Sequence, residues 1–107
     1  MRDVQLVQLN GNEAQISWKP PTSLQNTKLT YEVLYNTDGS TRYQIRRTGE
    51  TFYKIALAPG MTTIKAAVAY YDPTNQARSA FYPQPFAKLL LPPDSDMFHN
   101  IPSLLTL

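Results

Sequence analysis

Apolar and polar residues alternate in short runs along the first 86 residues, and no run there follows the period of a helix. The alternation is clearest in residues 29–36, where four apolar side chains fall on one face: Leu29, Tyr31, Val33 and Tyr35. Turn residues such as Asp38-Gly39 separate the runs. The pattern predicts seven short strands, at residues 4–9, 13–19, 29–36, 42–47, 51–57, 62–71 and 80–86, and so a two-sheet sandwich.

The only tryptophan lies in the second predicted strand, in phase with Ala14 and Ile16. Pro20-Pro21 then ends the alternation, because proline cannot continue a strand ladder. We interpret Trp18 as a core residue, with an indole that buries on the order of 200 Å². The two prolines end the strand where the chain crosses to the facing sheet.

Four motifs along these strands resemble a fibronectin type III domain, over roughly residues 3–90: Trp18 with Pro20-Pro21, YEVLY at 31–35, LAPG at 57–60 and AYYDPTNQARSAF at 69–81. The resemblance implies an all-β, seven-stranded immunoglobulin-like sandwich. It also implies a non-catalytic interaction or spacer module of a larger protein, located outside the cell or at its surface.

The sixth predicted strand departs from the family pattern. The family usually places a tyrosine three residues after the glycine of LAPG, and this chain has Thr63 there. A one-residue slip moves every side chain of a strand to the other face. Because the apolar set is Ile64, Ala66, Val68 and Tyr70, we expect one extra residue in the turn and no tyrosine corner.

The inventory of reactive side chains argues against catalysis. The sequence has no cysteine, and its one histidine, His99, follows the predicted sandwich. Ser–His, Cys–His and multi-histidine metal arrangements are therefore excluded from the sandwich. All eight acids fall at turn or outward-facing positions. Loop acids such as Asp38 and Asp72 are interpreted as turn formers rather than calcium ligands, so we predict no enzyme, metal or cofactor.

Charge and hydropathy limit the partners. A net charge of +2 is too balanced for a nucleic-acid surface. No apolar run approaches the ~18–20 residues needed to span a bilayer, so we expect no direct membrane insertion. Arg42 and Arg46 share one face of the strand at 42–47, and Arg47 lies on the other. Such a patch suits a sulfated glycan, an anionic lipid or an acidic protein, although a solvated face that protects an edge strand is the favoured interpretation.

Two loops are candidate binding elements, because binding residues concentrate on loops that a rigid scaffold positions. The loops at 20–28 and 72–78 are expected at one end of the sandwich, and the turn at 36–41 at the other. Their candidate contact residues are Asn26, Lys28, Asp72, Asn75, Gln76 and Arg78.

The predicted domain covers residues 1–91, and a C-terminal segment, residues 92–107, follows it. This segment is too apolar for an idle linker, with four candidate contact residues: Phe98, Ile101, Leu104 and Leu105. Three interpretations stay open: the start of a next element, a segment that folds back over an exposed sheet face, or a motif that docks on a partner. An apolar segment left free would promote self-association.

The functional prediction is therefore a protein-binding or spacer module whose partner the sequence does not name. One alternative is a receptor-type domain that binds a ligand through the loops at 20–28 and 72–78. A second is a structural assembly subunit of a phage or bacterial surface that locks onto a neighbour through residues 92–107. A third is an accessory domain beside a carbohydrate hydrolase.

Overall fold

The computed structural model describes residues 1–24, 26–38, 41–72 and 77–92 of the chain. Within these ranges the chain forms strands and one short 3₁₀ turn, Thr22–Leu24. The strands are β1 (Arg2–Asn10), β2 (Glu13–Lys19), β3 (Thr30–Thr37), β4 (Gln44–Thr48), β5 (Phe52–Ala56), β6 (Thr63–Tyr71) and β7 (Tyr82–Leu90).

The strands form two antiparallel sheets that pack face to face. The three-stranded sheet has the order β1-β2-β5, and the four-stranded sheet has the order β4-β3-β6-β7. The prediction of an all-β two-sheet sandwich is confirmed. Strand β7 runs past residue 86 to Leu90, so the first two leucines of the run at 89–91 prolong the last strand. Leu89 packs against the core and Leu91 lies within it.

Trp18 lies in the middle of the core, as predicted. It is 4% exposed, and its ring meets the ring of Tyr31 edge-on at a centroid distance of 5.2 Å. Strand β2 ends at Lys19, and the chain then crosses to β3 in the other sheet. The apolar set of β3 also faces the core, since Leu29, Tyr31, Val33 and Tyr35 are all buried.

The side-chain phase of β6 is the predicted one. Ile64, Ala66 and Val68 are fully buried in the core, and Tyr70 packs against it. Periodicity did not predict the burial of the alternate positions of β6. Ala67 and Ala69 face away from the core, yet both are 0% exposed, so side chains cover this strand on both faces.

The two strands with irregular patterns lie at sheet edges, as expected. Strand β1 shifts register twice against β2. Strand β7, which contains Pro83 and Pro85, shifts register between Ala66 and Val68 of β6. Prolines are tolerated there because an edge strand leaves one row of backbone groups outside the ladder.

The register of the central strands places the loops. Thr30 lies opposite Tyr71, so the described parts of the loops at 20–28 and 72–78 lie at one end of the sandwich. Asp38 lies at the other end, where its carboxylate accepts hydrogen bonds from the backbone N–H groups of Thr62 and Thr63. None of the helical structure described is long and apolar enough to cross a membrane.

Candidate functional site

The four-stranded sheet turns one surface to the core and the other away from it; we call the second surface the outer face. Buried side chains on a solvent-side surface are unusual unless something covers them. Four residues of the outer face are buried: Glu32 (3% exposed), Asn36 (5%), Ala67 and Ala69 (both 0%). The covering side chains form two groups, one at each end of the sheet.

The first group surrounds the carboxylate of Glu32, which lies opposite Arg47 in the sheet register. Arg78 Nη1 donates to Glu32 Oε1 at 2.9 Å. Arg47 Nε donates to Oε2 at 3.3 Å, and the Tyr71 hydroxyl donates to the same oxygen at 3.1 Å. Glu32, Arg47, Tyr71 and Arg78 are the Glu32 cluster, in which both carboxylate oxygens have donors. A buried acid is tolerated only when it is paired and hydrogen-bonded in this way.

Each arginine of the Glu32 cluster also stacks on an aromatic ring. The Arg47 guanidinium lies 5.2 Å from the ring centroid of Tyr71, and that of Arg78 lies 4.8 Å from the ring centroid of Phe81. Both distances are within the range for cation–π attraction. The stacking fixes the two guanidinium groups over the sheet, and together they exclude water from Glu32.

The electrostatics of the Glu32 cluster favour the ionised carboxylate. Burial pushes the pKa of Glu32 upward, but the hydrogen bonds from Arg78, Tyr71 and Arg47 outweigh burial, and the net shift of the pKa is downward. The same bond to Glu32 raises the pKa of Arg47. The Glu32 carboxylate is therefore an anchor for two cations, rather than a proton donor or acceptor poised near neutral pH.

The second group lies at the other end of the outer face and forms an open groove of about 510 Å³, which we call the aromatic groove. Its lining residues come from both edges and the middle of the sheet: Tyr43, Lys65, Gln84, Pro85, Phe86 and Lys88. Strands β4 and β7 lie three strand spacings apart, or about 14 Å. The rings of Tyr43 and Phe86 nevertheless meet edge-on at 5.7 Å, so both side chains lean inward over the middle strands.

Exposed apolar side chains flank the aromatic groove. Tyr43 is 42% exposed and Ile45 49%. Leu90, which lies opposite Thr63, is 70% exposed. Lys65 and Lys88 lie opposite each other and are both exposed. The aromatic groove thus combines the surface of two aromatic rings with the positive charges of two lysine side chains.

The described residues contain no group of three or more His, Cys, Asp or Glu side chains placed to hold a metal ion. Asp38, which the sequence indicates as a turn former, binds the backbone at the start of β6 through its carboxylate. Besides the two backbone donors, its Oδ1 accepts from the Thr62 hydroxyl at 3.0 Å. The backbone bond from Thr62 lowers the pKa of Asp38.

Among the candidate loop residues, Arg78 belongs to the Glu32 cluster. Asn26 and Lys28 are exposed at the loop end, and Asp72 is half-buried there. Asn75 and Gln76 lie outside the described residues. So do the candidate residues of the C-terminal segment: Phe98, Ile101, Leu104 and Leu105.

The basic residues near β4 are divided between its two faces, as the alternation predicted. Arg46 lies opposite Val33, on the core-facing side of this edge strand, and its Nη2 donates to Gln44 Oε1 at 2.7 Å. Arg47 lies on the outer face with Glu32. Arg42 precedes β4 and is exposed. The cluster of basic residues in the sequence is therefore not one patch on the surface.

Sequence reasoning missed the Glu32 cluster and the aromatic groove. The alternation predicts only that Glu32 faces outward, which it does, but its side chain is buried. One signal was available: the predicted hairpin of the strands at 29–36 and 42–47 brings Glu32 close to Arg47, and the structure pairs these two residues. No comparable signal linked Glu32 to Arg78 or Tyr43 to Phe86, because these residues are 46 and 43 positions apart in the sequence.

Comparisons with known proteins identify the fold. No protein family model matches the sequence, and no curated protein matches it. Solved structures do match, among them the FN5 domain of Drosophila Lar, which is 21% identical with a TM-score of 0.55. That match covers 85% of this chain and 95% of the FN5 domain. The chain has the fold of a fibronectin type III domain.

Proposed function

We propose that this chain is a non-catalytic protein-interaction module of a larger protein, and that the outer face of the four-stranded sheet is its contact surface. The observation that carries the proposal is the aromatic groove, in which Tyr43 and Phe86 are bordered by Lys65 and Lys88. Aromatic side chains are enriched in protein interfaces because they bury a large area at a small cost in conformational entropy.

The Glu32 cluster supports this role by holding the surface rigid. Arg47 and Arg78 reach Glu32 from β4 and from the segment before β7, which lie on either side of the two middle strands. A binding surface that is ordered before contact loses less conformational entropy on binding. Interaction residues on strands are also held more accurately than residues on loops.

The chemistry of the aromatic groove indicates the class of partner. An apolar segment that carries carboxylates would cover the two rings and approach the two lysines. Complementary charge raises the rate of association and selects among partners. The partner we propose is therefore an acidic and apolar protein segment. A location outside the cell or at its surface stays a prediction from the resemblance to fibronectin type III domains.

Charge-reversal variants at exposed lysines test the contact surface without disturbing the core. Four exposed lysines are suitable: Lys28, Lys54, Lys65 and Lys88. Two of them line the aromatic groove, one lies in a candidate loop, and one on the other sheet serves as the control. Lys65→Glu with Lys88→Glu reverses the aromatic groove, and Lys28→Glu alters the loop at 20–28. Lys54→Glu lies on β5 of the other sheet.

The immobilised 107-residue chain and these variants are used to capture proteins from extracts of the source organism, with quantitative mass spectrometry as the readout. We expect a protein that wild type, Lys28→Glu and Lys54→Glu retain and that the Lys65→Glu/Lys88→Glu variant loses. Loss with Lys28→Glu alone would overturn the proposal in favour of the receptor-type loops. If no captured protein differs in amount between wild type and the variants, the proposal is overturned in favour of a spacer function.

A further inference from the structure

We infer that the C-terminal segment of this chain docks on its own aromatic groove. In this arrangement Asp94 and Asp96 approach Lys65 and Lys88, and Phe98 packs against Tyr43 and Phe86. The inference concerns contact within one molecule, so it does not require that the proposed external partner exists.

The charges of the two regions are complementary. Residues 93–107 contain two carboxylate side chains, Asp94 and Asp96, and neither lysine nor arginine. The lining of the aromatic groove contains two lysines and no acid. Opposite charges that meet at a partly covered surface select one docking site over others on the same molecule.

The apolar content of the two regions also matches. The segment contains Phe98, Ile101, Leu104 and Leu105 after its two acids. The groove offers the rings of Tyr43 and Phe86, with Ile45 and Leu90 exposed nearby. A groove of about 510 Å³ is in the size range of pockets that take a small ligand or a few side chains. Docking would remove both apolar surfaces from water, which is the main favourable contribution to association.

The length of the connecting chain permits this contact. Strand β7 ends at Leu90, and Leu91 is held by a backbone hydrogen bond to Thr62 at 2.8 Å. Lys88 lies three residues before Leu91, or roughly 10 Å back along the strand. Residues 93–98 span at most about 20 Å when fully extended. Phe98 can therefore return to the groove, and tethering supplies it at a high effective concentration.

Docking in this manner would make the segment an internal competitor for the outer face. A partner of acidic and apolar chemistry would have to displace it, and the apparent affinity of that partner would fall by the fraction of molecules in the docked state. The groove would then be available in proportion to how often the segment leaves it.

The absence of cysteine from the 107-residue chain allows a direct test on this chain. A single Ser103→Cys substitution carries a nitroxide spin label, and the backbone amide signals are recorded by NMR with the label oxidised and reduced. We expect the amides of Lys65, Ala67 and Lys88 to lose most of their intensity. The amides of Gln15 and Lys54, on the other sheet, should keep theirs. Equal loss on both sheets, or no loss on either, would overturn the inference.

Two controls separate docking within one chain from its alternatives. In a mixture of spin-labelled chains without ¹⁵N and ¹⁵N-labelled chains without the spin label, intensity loss would show that a second copy is the occupant, which overturns the inference. The Lys65→Glu/Lys88→Glu variant should restore most of the lost intensity, and Lys54→Glu should restore none. If the label shows no contact while external capture still depends on Lys65 and Lys88, only this inference fails and the proposed function stands.

Discussion

On the outer face of the four-stranded sheet, Glu32, Asn36, Ala67 and Ala69 are buried, whereas every buried residue of β1, β2 and β5 belongs to the core. The outer surface of the three-stranded sheet carries polar residues such as Gln15 and Lys54, with exposed apolar residues at Val7, Leu9 and Phe52. The two surfaces come from strands with similar alternation, yet only one of them has a second layer of side chains above the backbone.

The difference between the two surfaces has a physical cause in side-chain size and charge. Alanines at the middle of the four-stranded sheet leave space above β6, and larger rings and guanidinium groups from the flanking strands lean into it. Glu32 supplies the negative charge that holds two of those groups. The three-stranded sheet has Gln15 and Ser17 on its middle strand, both polar and half-buried. A pattern of alternation therefore identifies the outward-facing positions without saying which are covered.

The largest expected effect comes from Glu32→Gln. The substitution keeps the shape of the side chain but leaves Arg47 and Arg78 without their carboxylate, so we expect the free energy of unfolding to fall by about 2–3 kcal/mol. Urea titration followed by the fluorescence of Trp18 measures the change. Glu13→Gln, on the three-stranded sheet, is the control and should change stability by less than about 0.5 kcal/mol. Equal losses for the two variants would contradict the distinction between the surfaces.

A somewhat smaller effect is expected from Ala67→Leu. Ala67 is fully buried beneath the outer-face side chains, so a larger residue must displace them, at a cost of about 1–3 kcal/mol. Ser17→Leu is the matched control, because Ser17 is a half-buried outward residue on a middle strand of the other sheet. That variant should stay within about 0.5 kcal/mol of wild type. Thermal unfolding by calorimetry compares the two, and an unperturbed Ala67→Leu variant would show that nothing rigid covers this position.

Coupling between Tyr43 and Phe86 should be smaller again. A double-mutant cycle with Tyr43→Ala and Phe86→Ala is expected to give a coupling free energy of about 0.5–1.5 kcal/mol, the usual value for an edge-on aromatic pair. Phe52, on the other outer surface, is 41% exposed against 42% for Tyr43. A cycle between Phe52 and Phe86 should therefore give no coupling. A Tyr43–Phe86 coupling near zero would remove the aromatic groove as a preformed feature.

The smallest effect is expected from pH. A protonated carboxyl group still offers two oxygens to the arginine donors, which the amide of a glutamine does not, and the arginine side chains are 66% and 46% exposed, so water screens the charge that protonation removes. The pKa of Glu32 is lowered from 4.5 in the folded chain. The stability that the carboxylate contributes is therefore complete above pH 4.5 and is lost as the pH falls through the lower folded value. The stability difference between wild type and Glu32→Gln should narrow in that acidic range. A difference that stays constant down to pH 3 would show that ionisation of Glu32 contributes nothing.

The sequence alone determined the class of the fold and most of the core. Alternation located the strands to within two residues at most ends, and it assigned Trp18 and the apolar set of β3 to the core. It also predicted the phase of β6 against the family pattern, because Ile64, Ala66 and Val68 admit only one buried face. These features depend on local order along one strand, which the sequence displays directly.

The tertiary structure alone decided which outward-facing residues became a site. Arg78 reaches Glu32 across 46 positions, and Tyr43 meets Phe86 over the middle of a sheet whose strand order, β4-β3-β6-β7, is not the order of the chain. Ala67 and Ala69 are buried because that strand order places β6 between β3 and β7. An alanine in the sequence does not indicate which side chains will cover it. Pairings of this kind depend on the distances between strands in space, and the period of a single strand carries no information about them.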